Sequence, residues 1–383
     1  MTFVKEFKWV TIPFLSLTPL LSAAALLYCI PRYGVHPLEP IVCAVYVMIV
    51  ALVVSGGYHR YFAHKTYQCH PFLKIFYLVV GCAALQQTAL VWATDHRMHH
   101  RYVDTEKDPY NIQKGFWWAH MGWLFAKDPA HRDRMALIAP DLAKDPWVMW
   151  QHKHWIWISV LLTAGLPLFV GFLIDRPFGM LLWAGLLRVV ITHQTTFTIN
   201  SIAHKFGTQP YTDENSAKDV WWLAPFLCGE NYHNYHHRFQ SDYRNGVKWY
   251  QYDPSKWMLW ILSHTSLVRA LRRTPHHQIL SARLSMDLKR IETRLRPAPP
   301  EFWMPVYTHL LGMRKTLEEA AELYTKACKN YEEFKRNMAD RSRESLQSAK
   351  DALEERKRAF EEVLDQWRAL IRQGYQLSPS RIR

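Results

Sequence analysis

Four long apolar runs constrain this chain more than any other feature. They cover residues 9–30, 40–58, 155–174 and 178–199. Each is near the roughly 17–25 residues that carry a helix across a bilayer. In lipid every backbone N–H and C=O needs a partner, so runs of this kind fold as helices. The links at 31–39 and 175–177 are short and pair the runs into two hairpins. A fifth run, 75–85, is shorter, with Lys74 before it and Gln86-Gln87 after it. It is expected to be an amphipathic or buried helix that does not span. The first run starts at Trp9 and lacks a convincing cleavage site, so no removable leader is expected there.

Nine of the 20 histidines fall into four clusters: His59-x4-His64, His96-x2-His99-His100, Asn200-x3-His204 and His233-x2-His236-His237. On a helix such offsets are expected to project side chains from one face. Two such blades and an outlying pair can surround metal with imidazole nitrogen. Imidazole suits iron, zinc, copper or nickel. Nine ligands exceed what one ion takes, whereas two ions with four or five nitrogens each would use them all. A structural zinc site would bring in cysteine. The six cysteines are isolated, with no CxxC, so neither a zinc ribbon nor a disulfide framework is indicated. A transporter would place its ligands near the bilayer midplane, but these lie at helix ends and beyond. A redox pair of irons at the membrane surface fits best. Only Glu230-x-x-His233 has the form used by soluble di-iron bundles, so that architecture is disfavoured. Asp95, Asp104, Asp108 and Glu230 are candidates to hold the second ring nitrogens from outside.

Charge sets the expected orientation. The net charge is +14. About a dozen Lys and Arg lie between residues 59 and 154, while the short links hold Arg32 and Arg176. The positive-inside rule then puts both termini and every histidine cluster in the cytoplasm, at a bacterial inner membrane or the endoplasmic reticulum. No basic motif with interleaved aromatics points to nucleic acid. Arg188 falls inside the fourth run and is expected near the interface, where that helix projects past the bilayer. The last hundred residues are mostly charged. After the proline-rich break at 296–300, Leu317, Tyr324, Tyr331 and Met338 repeat every seven residues, as do Leu346, Leu353, Phe360 and Trp367. This period predicts a coiled coil or helical hairpin. The organisation read from the sequence is therefore all-α: a membrane domain at 1–275 with four spanning helices and a helical cap, a linker at 276–305, and a helical extension at 306–383.

Taken together, these residues resemble the membrane acyl desaturases of the stearoyl-CoA Δ9 type. The strings that carry the resemblance are Gly57-Tyr-His-Arg-Tyr-Phe-Ala-His64, Asp95-His-Arg-Met-His-His-Arg101, Asp108-Pro-Tyr-Asn111, GFWWAHMGW at 115–123, Asn200-Ser-Ile-Ala-His204 and Gly229-Glu-Asn-Tyr-His-Asn-Tyr-His-His237. They span roughly residues 10–270. The resemblance implies four transmembrane helices under a cytoplasmic cap that holds two iron ions. It assigns His59, His64, His96, His100 and His237 to one iron. His99, His204, His233 and His236 go to the other, with Asn200 acting through water. The implied reaction uses O2 to remove two hydrogens from a long fatty acyl chain, giving a cis double bond and water. Trp92 and Thr196 match positions that line or bend the acyl tunnel.

Three departures matter. Thr94 stands where acyl-CoA members carry arginine, Ala126-Lys127 where they carry a basic pair, and Phe197 where a tryptophan is common. Two cations expected near CoA phosphates are missing, and Lys127 is the remaining candidate. The carrier is thus open among CoA, acyl-carrier protein, phospholipid and free acid. No His-Pro-Gly-Gly haem motif and no flavin or ferredoxin signature occurs. Electrons are expected from a separate ferredoxin, rubredoxin or cytochrome b5-type protein, and the basic face would suit an acidic donor. Two alternatives are a decarboxylase or hydroxylase on the same fold, which product analysis separates, and a non-catalytic scaffold, which would bind structural zinc and consume no O2.

Overall fold

The first two apolar runs form α1 (Thr11–Tyr33) and α2 (Leu38–Ala63). In this computed structural model, residues 10–126, 131–297, 299–336 and 343–376 are described. Only 11% of the apolar stretch of α1 is buried against 39% for α2, so α2 is the central helix and α1 faces outward. The last ten residues of α2, Val54–Ala63, are wound as π-helix. Helix α3 (Pro71–Ala84) bends by 82° into α4 (Ala89–Tyr102). The bend passes through Leu85 and Gln87, both at positive φ, and Thr88 caps α4 by accepting from Val91 N. Helix α5 (Pro146–Phe172) starts at Asp145, whose side chain accepts from Trp147 N and Val148 N. It is followed by α6, a continuous helical stretch over 177–205.

Three of the four expected spans are thus helices long and apolar enough to cross a membrane: α1, α2 and α5. The fourth lies in α6, which is as long but is diluted at its centre by Arg188, His193 and Gln194. The run at 75–85 belongs to the bent α3–α4 pair, which has the form of a broken span or a re-entrant loop. The C-terminal end of α3 is buried, and a helix end leaves carbonyls without intrahelical donors. Gln151 Nε2 donates to Leu78 O (3.2 Å) and Ser159 Oγ to Cys82 O (2.9 Å). Arg188 Nη1 donates to Ala83 O, and His193 Nε2 lies 2.9 Å from Ala84 O. Arg188 is fully buried in the bundle. Its guanidinium also lies 4.6 Å from the Tyr46 ring centroid. The carbonyls of the broken helix are what a membrane arginine can satisfy.

At the far end of the hairpins Arg176 clasps three partners. It donates to buried Glu39 and to the Tyr33 and Gly34 carbonyls, each at 3.0 Å. At the other end short elements form a cap. These include α7 (His233–Arg238), α8 (Pro254–Leu262) and a two-residue antiparallel pairing of β1 (Gln68–Cys69) with β2 (Val268–Arg269).

Residues 274–383, with 209–213, make a second compact unit. The stretch read as a linker contains α9 (His276–Leu295), which packs with α10 (Pro300–Arg336) and α11 (Arg343–Gln376). The sevenfold pattern is half expressed. Leu317, Phe360 and Trp367 are buried in the core of this unit, and Tyr324 stacks on Phe360 with centroids 5.7 Å apart. Met338 lies outside the described residues. Leu284, Leu288, Ile291 and Leu295 of α9 complete that core, so the unit is three helices rather than a hairpin alone.

This packing makes a prediction. Truncation after Arg296 strips the cover from four buried side chains of α9 and should give aggregated protein by size-exclusion chromatography. Truncation after Arg273 removes α9 as well and should give dispersed protein with unchanged metal content.

Candidate metal centre

His59 and His64 are five residues apart, an offset that an α-helix places about 140° around its axis. The π-helical turn removes that mismatch. His64 N donates to His59 O at 3.1 Å, an i→i+5 bond, and the two rings come within 4.8 Å. The wide turn is possible because Gly57 lets the Tyr77 ring lie on the backbone: a Cβ there would stand 2.6 Å from Tyr77 Cγ. Helix α4 brings His96, His99 and His100, α6 brings His204 from its last turn, and α7 brings His233, His236 and His237.

The nine imidazoles gather into two groups. One holds His59, His64, His96, His100 and His236; the other holds His99, His204, His233 and His237. Within each group the ligand nitrogens lie within 4.8 Å of one another. This corrects the division implied by the resemblance, which exchanged His236 and His237. The two are adjacent on a helix and point about 100° apart, so sequence cannot say which reaches which group. His236 Nε2 is 2.9 Å from the Nε2 atoms of both His59 and His100. His237 Nε2 is 3.1 Å from that of His233 and 3.3 Å from that of His99.

Each group is braced from outside. His59 Nδ1 lies 3.0 Å from Glu230 Oε2. Ser55 Oγ, Arg60 Nη2 and Asn245 Nδ2 donate to the same carboxylate at 2.6, 3.3 and 2.7 Å. Burial alone would raise the Glu230 carboxyl. The His59 ring, the Arg60 guanidinium and the Ser55 hydroxyl outweigh it and hold it down to about 2. His96 Nδ1 is 3.2 Å from Tyr110 Oη, and His99 Nδ1 is 2.9 Å from Asp108 Oδ1. His204 Nδ1 is 2.7 Å from Ser216 Oγ, which donates to Asp104 Oδ1 at 2.6 Å. Asp108 and Glu230 thus face ring nitrogens directly, and Asp104 stands one step further out, behind Ser216. Asp95 borders the cavity described below.

The donor set fits two transition-metal ions. Nitrogens about 2.1 Å from one ion and at right angles are about 3 Å apart; the Nε2 contacts are 2.8–3.3 Å. Glu230 Oε2 faces His59 Nδ1, and a proton on that nitrogen would leave an Nε2 lone pair turned towards the Nε2 of His236. Burial, reinforced by neighbouring imidazoles, lowers the pKa of His233, His236 and His237 well below the ordinary value. Neutral rings facing lone pair to lone pair are stabilised by a cation between them. These two histidine-rich clusters are compatible with a di-iron cofactor.

A cavity of about 1770 Å³ opens beside the clusters. It is larger than the roughly 300–1,000 Å³ of an ordinary small-molecule pocket. His59, His96, His233 and Asn200 reach its wall, together with mostly apolar side chains of α1, α2, α4, α5 and α6. Trp92 stacks on His96 with centroids 4.9 Å apart, and Thr196 stands opposite. Gln86, which belongs to no motif, joins them. It accepts from Trp92 Nε1 (3.2 Å) and donates to Thr196 Oγ1 (2.8 Å). Thr94 is buried and donates to Leu90 O at 2.7 Å, so it does not offer its hydroxyl to a carrier. Ala126 lines the cavity, and Lys127 lies outside the described residues. Ser216, Tyr110, Arg60 and Asn245 were also missed. Arg60 lies inside the first histidine box and Tyr110 in the Asp108–Asn111 string, whereas only the fold carries Ser216 and Asn245 to the site.

The fatty acid desaturase family model matches residues 38–310. The chain belongs to the fatty acid desaturase family. It is 38% identical over 267 residues to "Acyl-CoA desaturase 1" of Saccharomyces cerevisiae, covering 69% of this chain and 51% of that protein. It is 34% identical over 207 residues to "sn-1 stearoyl-lipid 9-desaturase" of Anabaena variabilis, covering 54% and 73%. To "Stearoyl-CoA desaturase 5" of Bos taurus it is 34% identical over 239 residues, covering 59% and 70%. The chain spans about half the length of the Saccharomyces cerevisiae protein and of its Schizosaccharomyces pombe counterpart.

Outer-shell partners orient metal ligands, and their loss typically weakens metal binding about 10–100-fold. Asp108→Asn and Ser216→Ala are each expected to raise the iron dissociation constant by that factor in chelator competition, with the helical content unchanged. His99→Ala, His204→Ala or His236→Ala should lose metal outright. His152→Ala, outside both clusters, should keep it.

Proposed function

We propose that this chain is an O2-dependent fatty acyl desaturase that introduces a cis double bond, of Δ9 type, into a long acyl chain. The observation that carries this reading is the convergence of nine imidazoles into two groups beside a large, mainly apolar cavity whose wall His59, His96 and His233 reach. His59, His64, His96, His100 and His236 would hold one iron. His99, His204, His233 and His237 would hold the other, with Asn200 beside it. Bound iron, reduced and then exposed to O2, supplies the oxidising power to break unactivated C–H bonds. The chain's own residues do the rest. The apolar walls extract the acyl chain from water and keep water from the oxidant. Trp92, braced by Gln86 and Thr196, fixes the wall beside His96 so that one segment of the chain stays in reach. Glu230, Asp108 and the Asp104–Ser216 pair hold the imidazoles in the tautomer that presents Nε2.

The charge distribution supports a cytoplasmic position for both termini and the metal centre, and the buried end of α3 supports its reading as a helix that enters without crossing. Single-cysteine labels at Gln68 and Lys107 should report one side of the membrane and a label at Val35 the other. Labels at Gln68 and Lys107 on opposite faces would refute the topology. A separate acidic protein supplies electrons. The catalytic part is 1–275, and the coiled-coil character of 306–383 serves assembly or donor coupling rather than chemistry.

The carrier reading follows from Thr94 and Ala126. Two charged phosphate contacts are absent, each worth roughly 1.5–3 kcal/mol before solvent screening. Turnover with one electron donor on acyl-CoA, acyl-carrier protein, free acid and phospholipid should show only a modest preference for acyl-CoA. Ala126→Arg should improve acyl-CoA use. Mass spectrometry of lipids from a desaturase-free host expressing the chain should show a cis monoenoic acid. A terminal alkene or a hydroxy acid as the product would overturn the desaturase reading.

A further inference from the structure

Helix α8 buries polar groups beside its core residue Leu259: its cap Asp253 and Ser255 are fully buried, and Lys256 is 5% exposed. Each has work there. Asp253 accepts from Arg60 Nη2 at 2.9 Å and from Asn245 N, Gly246 N and Lys256 N. Ser255 Oγ donates to Ser55 Oγ at 2.7 Å. Lys256 Nζ donates to the carbonyls of Gly246 and Lys248 at 2.8 Å and of Gln251 at 3.1 Å. The outward positions, at offsets of three and four, are Trp257, Trp260 and Ile261. All three are exposed, the last to 59%. The preceding loop adds Trp249, 84% exposed, and Tyr250.

Soluble folds place these residue types the other way round. An exposed cluster of large apolar groups marks a binding surface, and exposing it to water costs about 25 cal/mol per Å². Tryptophan and tyrosine, with an apolar ring and one polar edge, concentrate where membrane meets water. The position of α8 agrees. Met258 packs on the π-helical end of α2, its Cε 2.7 Å from where a Cβ on Gly56 would stand. Helix α8 leads into β2, which pairs with β1 directly before α3, where Phe72 and Phe76 are also exposed. So α8 packs at the cap end of α2, beside the start of α3.

We propose that residues 249–261 form an interfacial element, with Trp249, Tyr250, Trp257, Trp260 and Ile261 set into the headgroup–acyl boundary of the lipid. The same helix reaches the metal centre from its inner face, through Ser255–Ser55–Glu230 and Asp253–Arg60–Glu230. Lipid contact therefore holds the scaffold that positions His59.

The test is photolabelling of the full chain in phosphatidylcholine nanodiscs. One probe is a phospholipid with a diazirine on the acyl carbons next to the headgroup; the other is a water-soluble diazirine. Trypsin cuts after Lys248, Lys256 and Arg269 and so releases peptides 249–256 and 257–269. The lipid probe should label both peptides and the water-soluble probe should leave them largely unmodified. Trp257→Ser with Trp260→Ser should reduce lipid labelling of 257–269 while labelling of the α1 and α2 peptides is retained. Labelling by the water-soluble probe at or above that by the lipid probe would overturn the proposal. So would labelling by neither probe, which would mean that protein covers the face.

Discussion

Nine imidazole lone pairs turned towards two points are the constraint on which the rest of this structure depends. Neutral nitrogens do not assemble at about 3 Å for their own sake, because each would gain more from a donor than from another acceptor. The surroundings must hold them there. They do so in three ways: burial keeps the rings of α7 neutral, polar groups outside meet the Nδ1 atoms of His59, His96, His99 and His204, and a π-helical turn aligns a pair that an α-helix would separate. The five-residue spacing of His59 and His64, the glycine that admits Tyr77 and the buried Glu230–Arg60–Asp253 network are parts of one arrangement.

The same physics governs the membrane part. A helix that ends inside an apolar bundle leaves carbonyls that water cannot reach. Here Arg188, His193, Ser159 and Gln151 reach them from α5 and α6. These polar residues make α6 less apolar than its neighbours, and they also allow α3 to stop and turn into α4. That turn delivers His96, His99 and His100 to the centre. Polarity inside the bundle and the placement of three ligands are therefore one structural decision.

Much of this was legible in order along the chain. Apolar runs of sufficient length gave three of the spanning helices, because length and hydropathy are local properties. The nine histidines were legible as a set, since residue type and clustering need no fold to be seen. The outer shell was legible only in part. Asp104, Asp108 and Glu230 stand next to histidine boxes in sequence, while Gln86, Ser216 and Asn245 meet the site through turns that pattern does not reveal. The tail showed its period but not its partner: α9 looked like a linker because its apolar positions make sense only against α10 and α11.

By itself, then, the sequence determined a helical membrane chain with two metal ions' worth of imidazole, because hydropathy and ligand chemistry are carried by residue identity. The tertiary structure decided how those ligands divide. His236 and His237 are neighbours with the same chemistry, and only the direction of α7 against α2, α4 and α6 sends one to each group. It also decided that Arg188 is buried and that α8 turns its tryptophans outward. Direction and burial depend on what packs across from a residue, and that information is not local.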